Sequence, residues 1–243
     1  MRLTDRRVLI TGGGSGIGLA LAQALAPENQ VVIGGRDRAR LDQAREALPR
    51  LETIALDVTS EESAAGAMRD VEERLGGLDV LVNCAGVMRS GAFDVPGGER
   101  AAAADVEINL LGTIRMTRLA LPLLRASDEG AVVVLSSALA LVSSPGMAVY
   151  AATKAAVHSL ARSLRSELSG RVRVFDVLPP WVESGLSRDV RGAKIAPRQV
   201  AGAIVEGMRK DRYEIRVGRI RQLAVIGRLS PRLADSIAAR ATR

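Results

Sequence analysis

A glycine-rich turn constrains the fold of this chain more than any other feature of its sequence. Arg7–Thr11 is a short apolar run that predicts a buried strand, and a helical pattern begins at Ile17. The segment between them reads Gly12-Gly-Gly-Ser-Gly16-Ile-Gly18. A helix N-terminus after such a turn offers backbone N–H groups and a positive dipole end to an anion such as a pyrophosphate. The alternative is a plain tight turn between a strand and a helix.

Strand patterns alternate with helical patterns along the rest of the chain. The predicted strands are Arg7–Thr11, Gln30–Gly35, Leu51–Leu56, Asp79–Asn83, Gly130–Leu135, Arg171–Leu178 and Arg212–Val217. This alternation predicts a parallel sheet of about seven strands with helices on both faces, a doubly wound three-layer α/β sandwich of the Rossmann type. We expect residues 1–218 to form one nucleotide-binding catalytic domain, with residues 219–243 as a basic tail of the same domain.

Composition narrows the possible classes of function. No apolar run reaches the roughly 20 residues that cross a membrane, and the first residues lack a signal-peptide pattern, so we expect a cytoplasmic protein. Cys84 is the single cysteine, which excludes an internal disulfide. With one histidine, His158, there is no cluster at metal-ligand spacing, so we expect no metal and interpret His158 as structural. Aromatic residues make up only 2% of the chain and offer few platforms for stacking bases, so we expect no nucleic acid partner.

The residue after the second strand bears on the choice of cofactor. NAD-binding folds commonly place an acidic residue there, on the ribose 2′-hydroxyl. Here Gly35 ends the strand and Arg36 follows it. A carboxylate would repel a 2′-phosphate, whereas an arginine can bind it with two hydrogen bonds, so the sequence indicates NADP. The alternative is a solvated Arg36 in a stretch that also holds Arg38 and Arg40, and Asp37 is a second candidate for the ribose.

Polar or small residues follow the other predicted strands at their carboxyl ends, the edge where ligands bind in open α/β sheets. These positions are Asp57, Asn83–Gly86, Ser137 and Pro179–Ser184. Asp57 is a candidate partner for an adenine amino group, and capping of the next helix is the alternative. Together these positions predict a single site.

Tyr150 and Lys154 lie four residues apart in a helical pattern, Tyr150–Leu168, and therefore share one face of the helix. A nearby ammonium favours the phenolate and is expected to lower the tyrosine pKa from about 10. The pair is then a proton donor and acceptor for reducing a carbonyl to an alcohol. The alternative is an ordinary pair on a helix surface. Asn109 lies inside the helical pattern 103–124. A lone asparagine inside a helix usually lies on the surface or is hydrogen-bonded to nearby backbone.

With these residues located, the chain resembles the short-chain dehydrogenase/reductase family over about residues 5–217. The motifs that carry the resemblance are Thr11-Gly12-x-x-x-Gly16-x-Gly18, Asp57, Asn83-x-Ala85-Gly86, Asn109, Ser137 and Tyr150-x-x-x-Lys154. Ser137 rather than Ser136 stands thirteen residues before Tyr150, the usual spacing of the family's active-site serine. Two positions depart from the family pattern: Cys84 replaces an asparagine, and Pro180 replaces a glycine.

The resemblance implies an NADP(H)-dependent oxidoreductase, a ketoreductase that interconverts a carbonyl and an alcohol. Ser137 would bond the substrate oxygen, Tyr150 would transfer the proton, Lys154 would lower the Tyr150 pKa and bind the nicotinamide ribose, and Asn109 would hold a water next to Lys154. The implied cofactor-binding residues are Gly12, Gly14, Ser15, Gly16, Ile17, Gly18, Arg36, Asp57, Val58, Asn83, Ala85, Gly86, Tyr150, Lys154, Pro179, Val182 and Ser184. The competing interpretation is a nucleotide-sensing regulator on the same fold, which would be expected to lack the tyrosine or the lysine.

Partners follow from the same resemblance. We expect a small, mostly apolar carbonyl or alcohol substrate and a homodimer or homotetramer built on helices 103–124 and 150–168. The tail, residues 219–243, carries six arginines and one aspartate, a net of +5 out of the +7 of the whole chain. Apolar residues recur in it every three or four positions, which predicts an amphipathic helix interrupted near Pro231. Packing on the body or on another subunit is the favoured interpretation, and contact with an anionic membrane surface is the alternative.

Overall fold

The computed structural model describes residues 1–91, 93–94, 96, 98–188, 190 and 192–240, without the side chain of Arg240. Residues 241–243 of the predicted tail lie outside the described residues. The strands are β1 Arg7–Thr11, β2 Gln30–Gly35, β3 Leu51–Ala55, β4 Val80–Asn83, β5 Ala131–Leu135, β6 Arg173–Leu178 and β7 Glu214–Arg216. The helices are α1 Gly16–Leu25, α2 Arg38–Ala47, α3 Glu61–Leu75, α4 Gly98–Val106, α5 Gly112–Arg125, α6 Ala148–Glu167, α7 Pro197–Arg209, α8 Ile220–Leu229 and α9 Pro231–Arg240.

The seven strands form one parallel sheet in the order β3-β2-β1-β4-β5-β6-β7. This confirms the predicted doubly wound α/β fold. The chain runs outward from β1 in one direction through β2 and β3, and in the other direction from β4 onward. Strand order therefore reverses between β1 and β4, where a crevice opens at the carboxyl ends of the strands.

Side chains of the strands alternate between two hydrophobic cores, as the two-residue period of a strand requires. In β5, Val133 enters the core beneath α1 and α7, whereas Val132 and Val134 enter the core beneath α3, α5 and α6. Every residue of β5 is buried. A central parallel strand is covered on both faces, which explains its uninterrupted apolar sequence.

The helical region before β5 differs from the sequence prediction. Helix α4 begins at Gly98, earlier than the predicted helical start at residue 103. The predicted single helix, 103–124, is interrupted by a π-helical turn, Glu107–Leu111. Such turns insert an extra residue into a helix and are frequent at functional sites. Asn109 lies within this one and is buried rather than on the surface.

The tail forms two helices, α8 and α9, separated at Ser230 and Pro231. Ala234 and Ala238 of α9 are buried in a third hydrophobic cluster together with Tyr150. The interruption predicted near Pro231 is present between the two helices. Leu229, Leu233 and Ile237 are exposed, because the break at Pro231 starts a second helix with its own phase. In the described part of the chain, no helix has the length and apolar character needed to span a bilayer.

Candidate active site

The glycine-rich turn after β1 packs against the exit of β4. Gly12 has a left-handed backbone, with φ of +66°, and a Cβ atom there would lie 2.8 Å from the Ala85 Cα. A Cβ atom at Gly18 would lie 2.5 Å from the Gly12 carbonyl oxygen. Only glycine fits at these positions, so the backbone of the turn comes close enough to the sheet edge for a ligand to lie against it.

The N-terminus of α1 has the features of an anion site. The first amides of a helix have no partner within it, and Ser15, at the N-cap, makes no side-chain capping bond to them. The first turn of α1 also carries no carboxylate. Gly14 and Gly16 complete the turn, and a Cβ atom at Gly16 would lie 3.4 Å from the Ser184 Cβ. These features fit the pyrophosphate of a dinucleotide, with Ser184 beside it.

The exit of β4 is fixed by Thr11 at the end of β1. The backbone amides of Cys84 and Ala85 each donate to the Thr11 Oγ1, at 3.1 Å in both cases. The side chain of Asn83 is turned toward α5, where its Nδ2 donates to the Thr117 Oγ1 at 3.0 Å. The amide nitrogen of Asn83 therefore supports the scaffold by joining β4 to α5.

Gly86 brings the exit of β4 next to the polar groups of the site. A Cβ atom at Gly86 would lie 3.2 Å from the Asn109 Oδ1 and 3.7 Å from the Lys154 Nζ. Asn109 holds the loop after β4 with both ends of its carboxamide. Its Oδ1 accepts from the Val87 N–H at 2.8 Å, and its Nδ2 donates to the Val87 carbonyl at 2.9 Å and to the Thr153 Oγ1 at 3.1 Å. This clamp joins the loop, the π-helical turn and α6.

Helix α6 brings Tyr150 and Lys154 to the carboxyl end of β5. Both side chains are buried. The Lys154 ammonium lies 5.7 Å from the centroid of the Tyr150 ring and donates to the Leu135 carbonyl at 2.7 Å. Ser137, two residues after that carbonyl, is hydrogen-bonded to Tyr150 through its side chain. The predicted catalytic residues Asn109, Ser137, Tyr150 and Lys154 are therefore brought together.

The expected lowering of the Tyr150 pKa is wrong. Burial raises the pKa of Tyr150 to about 12, and the hydrogen bond from Ser137 only partly opposes this. Asp105 raises the Tyr150 pKa further. Burial also lowers the pKa of Lys154 to about 8. Loss of hydration is the largest influence on the pKa of both groups, because each is enclosed. The phenol is therefore in its proton-donating form at neutral pH.

At the outer end of the crevice, Asp57 and Arg36 follow β3 and β2. The Asp57 carboxylate accepts from the Thr59 N–H at 2.9 Å and the Thr59 Oγ1 at 2.8 Å. Although burial opposes it, these bonds, Arg36 and Arg115 together hold the pKa of Asp57 below its usual value. Asp57 is not the cap of α3, since Ser60 occupies that position.

Two further predicted positions, Val58 and Asp37, lie at the same end of the site. Arg115 donates to the carbonyl of Val58 at 2.5 Å, which fixes the chain after Asp57. Asp37 is the N-cap of α2 and pairs with Arg40 at 2.9 Å. Its carboxylate is thus engaged within α2, whereas Arg36 and Arg115 are the positive charges that act on Asp57.

The loop after β6 closes the inner end of the crevice. The Pro179 carbonyl accepts from the Ala138 N–H at 3.0 Å, which ties this loop to the exit of β5. Val182 forms a bridge with Ile195, and its carbonyl accepts from Ser187. The loop from Pro179 onward is therefore held by its own hydrogen bonds and carries Ser184 to the glycine-rich turn.

A cavity of about 670 Å³ opens between the start of α6 and the segment around α4. Ala148 and Val149, just before Tyr150 in α6, belong to its lining, whereas the four predicted catalytic residues do not. Among the described residues, its apolar lining comes from Phe93, Ala101, Ala102, Ala148 and Val149, and its charged lining from Arg89, Asp94, Glu99, Arg100 and Asp105. Its lining thus combines apolar and charged side chains.

Sequence reasoning overlooked several buried polar residues near the site. Asp105, in α4, is buried and paired with Arg89. Asp176, in the middle of β6, accepts from the Ser136 Oγ at 2.5 Å and lies 2.5 Å from the His158 Nδ1. A single aspartate inside an otherwise apolar buried strand is a signal that the sequence already contained. Among the described residues, no group of three His, Cys, Asp or Glu side chains is arranged to hold a metal ion.

Comparison with known proteins agrees with this geometry. The model of the short chain dehydrogenase family matches residues 6–194. The chain is 34% identical over 232 residues to the uncharacterized oxidoreductase DltE of Bacillus subtilis (strain 168), and the match covers 92% of each protein.

Two solved structures are also similar. A short chain dehydrogenase from Burkholderia cenocepacia J2315, in complex with NADP, has 28% identity and a TM-score of 0.87, over 98% of this chain and 99% of that one. A short chain dehydrogenase/reductase from Burkholderia phymatum, in complex with NAD, shares the fold at 24% identity and a TM-score of 0.85, over 95% of this chain and 98% of that one. The chain belongs to the short-chain dehydrogenase/reductase family of oxidoreductases.

Proposed function

We propose that this protein is an NADP(H)-dependent oxidoreductase that reduces a carbonyl to an alcohol with Tyr150 as general acid. The observation that carries the proposal is the meeting of Ser137, Tyr150, Lys154 and Asn109 at the carboxyl edge of the sheet, beside a turn that fits a pyrophosphate. A proton donor next to a dinucleotide site is the arrangement that carbonyl reduction requires.

Each side chain then has a definite part in the chemistry. NADPH, when bound, supplies the hydride. The hydroxyl groups of Ser137 and Tyr150 orient the carbonyl oxygen, and Tyr150 gives its proton to the alkoxide as it forms. Lys154 stabilises the phenolate that Tyr150 leaves behind, and Asn109 holds the loop after β4 in place against α6. A protonated phenol is the form that donates, and with its pKa raised Tyr150 is in that form at neutral pH.

Arg36 supports NADP rather than NAD. It follows β2 directly, its charge helps to lower the pKa of Asp57, and Asp37 is engaged with Arg40. The cofactor-binding residues predicted from the sequence belong to this proposal, with Asn83 contributing through its backbone. The similar protein from B. cenocepacia was solved with NADP and the one from B. phymatum with NAD, so the fold alone does not decide the cofactor.

The substrate and the assembly complete the proposal. We place a small carbonyl compound in the crevice beside Tyr150, with its apolar part reaching into the cavity at the start of α6, against Phe93 and Val149. A homodimer or homotetramer through α5 and α6 is supported by the small residues of α6, Ala151 and Ala152 among them, which permit close helix packing. The burial of Ala234 and Ala238 beside Tyr150 supports treating the tail as part of the catalytic domain.

The experiment is a screen of aldehydes and ketones for oxidation of NADPH and of NADH by the purified protein. We expect turnover of at least one carbonyl compound, with a higher kcat/KM for NADPH. Binding of NADPH without turnover of any compound would instead favour a nucleotide-sensing regulator. A preference for NADH would contradict the assignment of Arg36.

A further inference from the structure

Among the described residues, no carboxylate is in ion-pair contact with the Lys154 ammonium, which lies inside the protein. Its side chain is buried, and its Nζ donates to the neutral carbonyl oxygen of Leu135 at 2.7 Å. A buried positive charge costs free energy unless a negative charge compensates for it. The site therefore calls for a counter-charge beyond the four residues already described.

Asp176 is a buried carboxylate near the same carbonyl. It is completely buried in β6, where its neighbours Phe175 and Val177 are apolar. One oxygen, Oδ1, accepts from the Ser136 Oγ at 2.5 Å, and Ser136 is the residue that follows Leu135. The carboxylate is thus bonded one residue away from the carbonyl that holds the Lys154 ammonium.

His158 ties the same carboxylate to the catalytic helix. Its Nδ1 lies 2.5 Å from the Asp176 Oδ2. His158 stands four residues after Lys154 in α6, so the two side chains share one face of the helix, one turn apart. Asp176 therefore joins three elements: β6, the exit of β5 that carries Ser137, and the helix that carries Tyr150 and Lys154.

We propose that Asp176 is the counter-charge of Lys154 and that, with Ser136 and His158, it positions the catalytic helix against the end of β5. Asp176 acts through its neighbours and not on the reacting atoms, so it is a positioning residue. Its effect on turnover rests on the proposed function, whereas its effect on the charge of Lys154 does not.

The other charged or titratable groups around Lys154 leave this role to Asp176. Burial lowers the pKa of Lys154, whereas Cys84 and Asp176 act to raise it. Burial also raises the pKa of Cys84 to about 11, so its thiol is neutral at physiological pH. The pKa of Tyr150, on the same helix, is raised to about 12, so its phenol is neutral too. The charge of Asp105 contributes to that raised pKa of Tyr150. Asp176 is then the negative charge that acts on the ammonium.

Direct titration of Lys154 tests the proposal without any substrate. The chain contains only three lysines, Lys154, Lys194 and Lys210, so NMR of protein labelled at the lysine Cε carbon resolves each ammonium. Lys194→Arg and Lys210→Arg assign the signals. Asp176→Asn keeps an oxygen acceptor but removes the charge, and we expect it to lower the Lys154 pKa by about one unit or more.

Asp79→Asn is the matched control, because Asp79 is another buried carboxylate, bonded to Arg7 at the opposite end of the sheet. It should destabilise the protein yet leave the Lys154 titration unchanged. If Asp176→Asn does not fold, the double variant Asp176→Leu with His158→Leu removes the charge without leaving an unpaired partner. The same lowering of the Lys154 pKa is expected. An unchanged Lys154 titration in a folded Asp176 variant would overturn the proposal.

The pH profile of turnover gives a second readout. Loss of the Lys154 charge at a lower pH should move the alkaline limb of kcat/KM to lower pH in Asp176→Asn and not in Asp79→Asn. An alkaline limb that stays in place in Asp176→Asn would contradict the catalytic part of the proposal. Absence of turnover in the unaltered protein would refute the proposed function, while the NMR titration would still test the counter-charge.

Discussion

Replacing Tyr150 by phenylalanine removes one hydroxyl group from the centre of the proposed mechanism. The ring stays in the cluster that includes Leu139 and Met147, so its packing is retained. The Ser137 Oγ loses its bond to the phenol but still accepts from the Leu139 N–H at 3.2 Å. Because one net hydrogen bond is lost, we expect the free energy of unfolding to fall by about 1 kcal/mol.

The effect on catalysis should be much larger than the effect on stability. General acid catalysis contributes about 10²-fold or more to the rate, which corresponds to about 2.7 kcal/mol of activation free energy. We therefore expect kcat to fall at least about 10²-fold, while the Kd for NADPH changes little. The assays are initial rates of NADPH oxidation with a saturating carbonyl substrate, a fluorescence titration of NADPH binding and a thermal melt.

The second tyrosine of the chain provides a matched control. Tyr213 is partly exposed, and its ring stacks on Phe175 with centroids 5.6 Å apart. Tyr213→Phe also removes one phenolic hydroxyl, but at the far edge of the sheet, so kcat should stay near that of the unaltered protein. Comparable turnover in Tyr150→Phe and Tyr213→Phe would refute Tyr150 as the proton donor.

Three other predictions address the cofactor, the tail and the base of the sheet. Arg36→Ala should weaken NADPH binding by about 10–150-fold and leave NADH binding nearly unchanged, because a charge-assisted contact worth about 1.5–3 kcal/mol is lost. Arg38→Ala is the control. Equal losses of affinity for both cofactors in Arg36→Ala would contradict the assignment. Truncation after Gly218 should lower the Tm and the activity, because Ala234 packs in the cluster around Tyr150. A truncated protein that is fully active and equally stable but no longer binds anionic liposomes would favour the membrane interpretation. Arg7 and Ser127 hold the pKa of Asp79 at about 2 although burial opposes them. The stabilisation that the Asp79 carboxylate contributes is therefore complete above about pH 4 and is lost as the pH falls toward 2. In Asp79→Asn we expect the free energy of unfolding at pH 7, measured by urea unfolding, to be about 2 kcal/mol lower.

The regular elements of this fold could be predicted because their signals are local. β1 and β2 match their predicted bounds, since each is a buried apolar run that ends at a glycine-rich turn. The position of Ser137, Tyr150 and Lys154 at one sheet edge follows from strand topology alone.

What could not be predicted depends on burial. The sequence places Lys154 near Tyr150, but only the structure shows that loss of hydration outweighs that proximity and raises the phenol pKa. The buried face of α9 consists of Ala234 and Ala238, whereas the more hydrophobic Leu233 points outward. Small residues are buried where helices approach closely, and their hydropathy does not reveal it.

In the proposed mechanism, hydride passes from NADPH to a carbonyl carbon while Tyr150 supplies the proton. This transfer is tested most directly with NADPH that carries two deuterium atoms on C4 of the nicotinamide and with the best carbonyl substrate of the screen. We expect an alcohol with one deuterium on the carbinol carbon, formed at least about 10²-fold more slowly by Tyr150→Phe. Alcohol without deuterium, or equal rates of formation by the two proteins, would contradict it.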